Sequence, residues 1–119
     1  MPVNLNGMMV RSADVLGSAL HDARKHKLGT IREIFLDRST GQAKFVILEL
    51  SAMFGVGGKF HPIPWGALTF QENTDGYVTT LTKDMLKNSP AYDRAQLADI
   101  SYGWGEQTER YFSTPSSMG

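Results

Sequence analysis

The three histidines are the side chains best suited to proton transfer or metal binding near neutral pH. His21 and His26 are five residues apart, so they share a face of neither a helix nor a strand and do not predict a preformed metal pair. His61 falls on the same face of an expected strand as Ile63. We therefore expect a partly buried, hydrogen-bonded His61 ring, and we predict no metal site.

A glycine-rich segment, residues 55–59 (GVGGK), could in principle bind phosphate. A Walker A loop would need glycine in place of Met53 and serine or threonine in place of Phe60, and a dinucleotide loop would need glycine in place of Phe60. No helical pattern follows, so no helix N-terminus would hold the phosphate. The segment predicts a glycine turn before an edge strand. Lys59 and His61 are the side chains of an alternative interpretation, a loop that binds a small molecule or an ion.

The remaining polar residues do not form a pattern typical of catalysis. The acidic residues stand singly in predicted turns or on exposed faces, and the sequence has no nucleophile elbow. The chain contains no cysteine, which excludes disulfides, thiolate metal sites and a cysteine nucleophile. We predict no catalytic residues, no cofactor and no enzyme activity.

Charge and hydropathy argue against two classes of partner. Lys and Arg number 12 and Asp and Glu number 12, so the chain lacks the broad positive field of nucleic-acid binders and anionic-membrane binders. The longest nearly apolar run, residues 45–50, is far shorter than the roughly 20 residues of a membrane helix, and the first residues show no secretory signal. We expect a cytoplasmic protein that neither inserts into membranes nor binds nucleic acid.

The elements that must position these side chains are short strands. The 119 residues suit one domain, and turn signals at short intervals are typical of a mainly β, antiparallel sandwich or barrel. Residues 30–36 and 43–50 predict a hairpin whose loop, residues 37–41, ends in Gly41. The apolar period of two breaks at Arg32 and Glu33, which predicts a β-bulge.

The second strand of this hairpin is apolar on both faces. Val46, Leu48 and Leu50 share one face, whereas Phe45 and Ile47 share the other. A strand of a small barrel has one face inside, so Phe45 and Ile47 need a cover. The cover is a helix, the C-terminal segment or another subunit.

The rest of the chain predicts further short elements. Residues 59–64 predict an edge strand because Pro62 and Pro64 cannot donate to a ladder. A tight turn follows at residues 65–68, and residues 68–72 and 77–81 predict a second hairpin. Thr82 is the expected N-cap of a short helix that runs to about residue 88.

The composition of the chain divides it into three parts. Residues 1–12 are an N-terminal extension, residues 13–97 the barrel-like domain, and residues 98–119 a C-terminal tail rich in aromatic residues, with its last residues expected to be disordered. The aromatic residues of the tail, Trp104, Tyr111 and Phe112 among them, are expected to dock on the barrel or on a partner.

From about residue 13 to residue 94, the order of these features resembles the PRC-barrel family, the domain also seen in the photosynthetic reaction-centre H subunit and in a bacterial ribosome-maturation factor. The residues that carry the resemblance are Gly17, Lys27, Leu28, Gly29, Thr30, Ile31, Asp37, Thr40, Gly41, Gly55, Val56, Gly57, Gly58, Lys59, Pro64, Trp65, Leu68, Leu81, Thr82, Lys83, Lys87, Asn88, Ser89, Pro90 and Asp93. The resemblance implies a mainly structural role for Gly29, Gly41, Gly55, Gly57, Gly58, Lys59, Pro64, Trp65, Asn88, Pro90 and Asp93.

The resemblance implies a small, highly curved antiparallel β-barrel with a short C-terminal helix and no known catalytic residues. It also implies a bacterial interaction module that docks on larger assemblies. Our leading hypothesis is a non-enzymatic adaptor that binds itself, as a homo-oligomer and most simply a dimer, and an unidentified protein. Its expected interaction surface is Phe45, Ile47, Trp104, Tyr111 and Phe112. A ribosome- or RNA-linked assembly factor is a further alternative.

Overall fold

One β-sheet organises the fold, which we describe from a computed structural model. The structure describes residues 9–51, 59–71 and 76–113. Gly55, Gly57 and Gly58 of the glycine-rich segment, most of the turn that ends at Gly76 and the last residues of the tail lie outside the described residues.

The sheet contains six strands in the order β4-β3-β2-β1-β6-β5. Along the chain the strands are β1 (Ala19–His21), β2 (Lys27–Leu36), β3 (Ala43–Leu50), β4 (Phe60–Pro64), β5 (Thr69–Gln71) and β6 (Gly76–Val78). The helices are α1 (Ser12–Val15), α2 (Lys83–Lys87), α3 (Arg94–Leu97) and α4 (Gly103–Ser113), with a 3-10 turn at Trp65–Ala67. The chain is therefore mainly β, as expected.

The expectation of a purely antiparallel sheet was wrong. β1 and β6 pair in parallel, with Leu20 opposite Tyr77 and His21 opposite Val78, so the sheet is mixed. The parallel pair was not predicted because turn signals indicate pairing only between strands that are adjacent in sequence. The paired residues of β1 and β6 are more than fifty positions apart. Both Leu20 and Tyr77 are buried, and the parallel pairing brings them into one core.

Closure into a barrel is not observed among the described residues. β4 and β5 lie at opposite ends of the sheet order, and no pairing joins them. The outer edge of β4 is instead bridged by Tyr92, because the Phe60 N–H donates to the Tyr92 carbonyl and the Tyr92 N–H donates to the Phe60 carbonyl, both at 2.9 Å. The expected edge position of β4 is confirmed.

The β2–β3 hairpin is confirmed, together with its irregularity. Asp37 Oδ1 accepts hydrogen bonds from the Ser39 N–H at 2.8 Å and from the Ser39 hydroxyl at 2.7 Å, which shapes the loop. Gly41 closes the loop with a φ of +78°, a conformation that favours glycine. The register shifts between Ile31 and Glu33, at the position expected for the bulge.

Both faces of β3 are buried, and they belong to two separate cores. The first core contains Val15, Leu20, Leu28, Ile31, Val46, Leu48, Leu50, Ile63, Tyr77 and Leu86. The second core contains Phe45, Ile47, Phe60, Tyr92, Leu97 and Trp104. The two-sided apolar character of β3 therefore gives a three-layer arrangement around that strand, with the sheet in the middle.

Two of the helices, α2 and α3, begin at residues whose side chains cap them. The Thr82 side chain accepts from the Met85 N–H at 3.1 Å, which confirms it as the N-cap of α2. Asp93 caps α3 through a reciprocal pair of hydrogen bonds with Gln96, a capping box that the sequence analysis did not identify.

Helix α4 was not predicted, since the sequence analysis placed in this region only a C-terminal tail rich in aromatic residues. It runs for 11 residues from Gly103 to Ser113. No helix in the described part of the chain combines the length and the apolar character needed to span a bilayer.

Candidate interaction surface

Trp104 is the centre of an aromatic cluster on the second core. Its ring centroid lies 4.8 Å from that of Phe35, 5.6 Å from that of Phe45 and 6.3 Å from that of Tyr92. The pairs with Phe35 and Phe45 are edge-to-face, an arrangement worth about 0.5–1.5 kcal/mol per pair beyond burial. The indole N–H donates to the Leu97 carbonyl at 3.2 Å, so its one polar group is satisfied.

Helix α4 is held against the sheet along one face. The Tyr92 hydroxyl donates to Gln107 Oε1 at 2.6 Å, and the Tyr111 hydroxyl donates to the Met85 carbonyl at 2.8 Å. An ion pair of 3.5 Å joins Lys44 on β3 to Glu109, but its exposed charges contribute little to stability. The contacts thus extend from the first turn of the helix to its last.

Gly105 of α4 lies beside Phe45 of β3. A Cβ atom added at Gly105 would lie 3.6 Å from the ring of Phe45, which is ordinary van der Waals contact, so the position does not require glycine. Gly103, at the start of the helix, has open space around its Cβ position.

The five residues expected to form an interaction surface are covered within the chain itself. Phe45, Ile47 and Trp104 are 7%, 1% and 6% exposed, and all three belong to the second core. Tyr111 is half-buried, and the half-buried Phe112 packs against the first core. Of the covers considered for Phe45 and Ile47, the structure contains the C-terminal segment of the same chain. An uncovered face of β3 is therefore not available to a partner in this conformation.

The link between α3 and α4, residues 98–102, carries part of the exposed apolar surface, which also includes Met9, Leu36 and Phe70 elsewhere in the chain. Every residue of this link is exposed, with Ile100 at 85% and Tyr102 at 48%. The Tyr102 ring lies 5.9 Å from that of Phe35 and 6.2 Å from that of Trp104, so it continues the aromatic cluster outward to the surface.

His61 is buried and structural, as its strand position predicted. It is 3% exposed, and its Nδ1 lies 2.9 Å from the Ser89 hydroxyl oxygen. That hydroxyl donates to the Leu86 carbonyl at 2.7 Å, so it accepts from His61, and Nδ1 is the protonated ring nitrogen. Burial lowers the pKa of the imidazole.

The alternative ligand loop is not assembled by the described residues. Lys59 is exposed and precedes β4, whereas His61 points into the first core beside Ser89, so the two side chains do not converge. Gly55, Gly57 and Gly58 lie outside the described residues. The described part of the chain holds no group of three or more His, Asp or Glu side chains suited to a metal ion.

Several other motif residues stabilise strand pairing, helix ends or packing. A Cβ atom at Gly29 would lie 2.4 Å from the Glu49 carbonyl oxygen, so the close approach of β2 and β3 requires glycine there. Asn88 is the C-cap of α2 and Asp93 the N-cap of α3, with Pro90 between them. Pro64 ends β4, and the Trp65 ring lies 5.9 Å from that of Tyr77.

A comparison with known protein families agrees with the mainly β fold. The sequence model of the PRC-barrel domain matches residues 7–86, more than half of the chain. The chain belongs to the PRC-barrel family. No curated protein matches the chain.

The PRC-barrel match divides the second core in two. Phe45, Ile47 and Phe60 lie within the matched residues, whereas Tyr92, Leu97 and Trp104 lie beyond residue 86. Helices α3 and α4 therefore supply a cover for the PRC-barrel sheet from outside the matched region. The spacing of Trp104, Thr108, Tyr111 and Phe112, at i, i+4, i+7 and i+8, is the sequence signal that could have identified α4 as an amphipathic helix.

Proposed function

We propose that this PRC-barrel protein is a non-enzymatic protein-protein interaction module that associates with itself. Membership of the family suggests an interaction or adaptor module in general terms. The observation that carries the proposal is the packing of a helix on the second face of the sheet through Trp104, whose ring contacts both Phe35 and Phe45 edge-to-face. An amphipathic helix laid on an apolar face is a recurring mode of protein recognition.

Two further observations support the proposal. Tyr102, which contacts Trp104, and Ile100 in the same link are exposed apolar residues. Aromatic residues such as Tyr are enriched at the centres of protein interfaces. Histidine is the residue type that best suits acid-base catalysis, and His61, one of the three histidines, is buried and hydrogen-bonded to Ser89. Its position supports a module without a catalytic step.

Sedimentation velocity over micromolar to sub-millimolar concentrations tests self-association. We expect a concentration-dependent dimer that is weakened by Ile100→Asp, since this substitution places a charge on the exposed apolar link. Phe70→Asp is the control, because Phe70 is also an exposed apolar residue, at 50% against 85% for Ile100, but lies on β5 at the opposite end of the sheet order from β4. A monomer at every concentration would contradict the proposal.

A second, unidentified partner protein is tested separately. The unchanged chain, the Ile100→Asp variant and the Phe70→Asp variant serve as three baits in cells that express the protein naturally. The proposal expects a partner retained by the unchanged chain and by Phe70→Asp but lost with Ile100→Asp. Equal capture by all three baits would place the partner's binding surface elsewhere.

A further inference from the structure

The contacts that α4 makes with its own chain could also be made, unchanged, by the α4 of a second copy. Residues 98–102 connect the helix to the elements that precede it, and its anchors face residues of those elements: Phe45 on β3, Tyr92 before α3, and Met85 on α2. A swapped element makes the same contacts with its neighbour as with its own chain, so exchange costs no packing.

The link that returns α4 to its own sheet is short and tightly folded. The Ser101 N–H donates to Asp99 Oδ1 and the Tyr102 N–H donates to the Asp99 carbonyl, both at 2.9 Å. The Gly105 N–H donates in turn to the Tyr102 carbonyl at 2.9 Å, which continues the turn into α4. The link between α3 and α4 is thus a hydrogen-bonded turn of five residues.

Tyr102 adopts a strained backbone conformation in this link. Its φ is +49°, in the left-handed region that an aromatic residue rarely adopts. Short hinge loops under strain favour exchange between copies, because an extended link releases the strain while the helix keeps its seat. The folded link also leaves Ile100 85% exposed, and two extended links running side by side could cover that side chain.

We propose that two copies of this chain exchange α4, so that Trp104 of each copy docks against Phe35 and Phe45 of the other. The occupant of the seat in the dimer is therefore the helix of a second copy, and residues 98–102 are the hinge. This inference rests on the proposed self-association and specifies its geometry.

Cross-linking tests the exchange directly. The chain has no cysteine, so Lys44→Cys together with Glu109→Cys introduces a pair whose wild-type side chains lie 3.5 Å apart across the seat of α4. Both side chains are about half exposed, so the substitutions leave the cores intact. After treatment with a short bismaleimide, the dimeric fraction from gel filtration is analysed by denaturing electrophoresis.

The outcomes separate this inference from the proposed function. A covalent dimer, absent when either cysteine is present alone, is the expected result. It should also form when chains carrying only Lys44→Cys are refolded together with chains carrying only Glu109→Cys. A dimeric fraction that gives only internally cross-linked monomer would overturn the exchange and leave self-association standing. A protein that is monomeric throughout would overturn both.

Hinge variants provide an independent test. Tyr102→Gly and Tyr102→Ala both remove the ring, but only glycine releases the left-handed strain. We therefore expect the dimer dissociation constant of Tyr102→Gly to exceed that of Tyr102→Ala by about tenfold. Lys25→Gly is the control, since Lys25 is also left-handed with a φ of 70° but lies in the turn after β1. Equal dissociation constants for the two Tyr102 variants would contradict a strained hinge as the cause of exchange.

Discussion

The indole of Trp104 packs edge-on against the ring of Phe45, with their centroids 5.6 Å apart. Phe45 belongs to the part of the chain that the PRC-barrel family shares, and Trp104 lies beyond it. This contact is therefore where a segment outside the matched region completes a core of the domain. Its strength determines how firmly α4 is seated.

Replacing Trp104 tests that strength. We expect Trp104→Ala to lower the free energy of unfolding by about 3–5 kcal/mol, because the substitution removes a 6% exposed indole and opens the second core. Urea denaturation followed by circular dichroism measures the change. Tyr102→Ala, which removes a half-exposed ring two residues away, should cost about 1 kcal/mol or less. Similar losses for the two variants would show that the indole is not the anchor.

The pH dependence of stability follows from His61. Because burial lowers its pKa, the folded protein takes up a proton at His61 less readily than the unfolded chain, whose imidazole titrates near pH 6.5. The stabilisation from neutral His61 is complete above about pH 6.5 and is lost as the pH falls below it. Urea midpoints measured between pH 7.5 and 4.5 should therefore decrease.

The matched variant for this pH effect is His61→Gln, which retains a side-chain donor toward Ser89 but does not titrate. Its urea midpoint should change less over the same interval. Hydrogen bonds also lower the pKa of Asp22, mainly from the His26 N–H, and that of Asp37, mainly from the Ser39 side chain. Both half-buried carboxyl groups therefore titrate below the ordinary range of an aspartate, outside this pH interval. A variant with the same pH slope as the unchanged chain would assign the effect to other groups.

Gly29 permits the close approach of β2 and β3. Gly29→Ala places a methyl group 2.4 Å from a backbone oxygen of Glu49, so a strand must shift, and we expect a loss of about 1–3 kcal/mol. Thermal unfolding measures this loss. Gly66→Ala is the control because nothing lies within 4 Å of its Cβ position. An unchanged melting temperature for Gly29→Ala would mean that the two strands can separate at no cost.

Asp93 positions α3, which carries Leu97 into the second core. Asp93→Ala removes the acceptor of the Gln96 N–H and should cost about 1 kcal/mol, as N-cap losses do, whereas Asp93→Asn should be close to neutral. Denaturant midpoints compare the two. If Asn were as costly as Ala, a charge effect rather than the capping hydrogen bond would be responsible.

Features encoded by neighbouring residues could be predicted from the sequence. The β2–β3 hairpin, its bulge at Arg32 and Glu33, and the Thr82 cap each depend on a few adjacent side chains, and each is present. The placement of His61 followed from the alternation of side chains along a single strand. The alternation along β3 also identified Phe45 and Ile47 as residues that need a cover.

The sequence could not decide among the candidate covers of Phe45 and Ile47, because their residues are distant in sequence from β3. Gly103 and Gly105 lower the helix propensity of the segment that forms α4, and its helical structure was not predicted. The packing of Trp104 against the sheet overrides that weak local preference. The parallel pairing of β1 with β6 was missed for the same reason, since no local pattern encodes a contact between remote strands.

The division of the second core at residue 86 has a practical meaning for anyone who prepares fragments of this protein. A fragment trimmed to the matched residues would keep Phe45, Ile47 and Phe60 but lose Tyr92, Leu97 and Trp104, which pack against them. We expect such a fragment to expose a large apolar patch and to aggregate. A fragment that keeps the second core complete must instead reach α4.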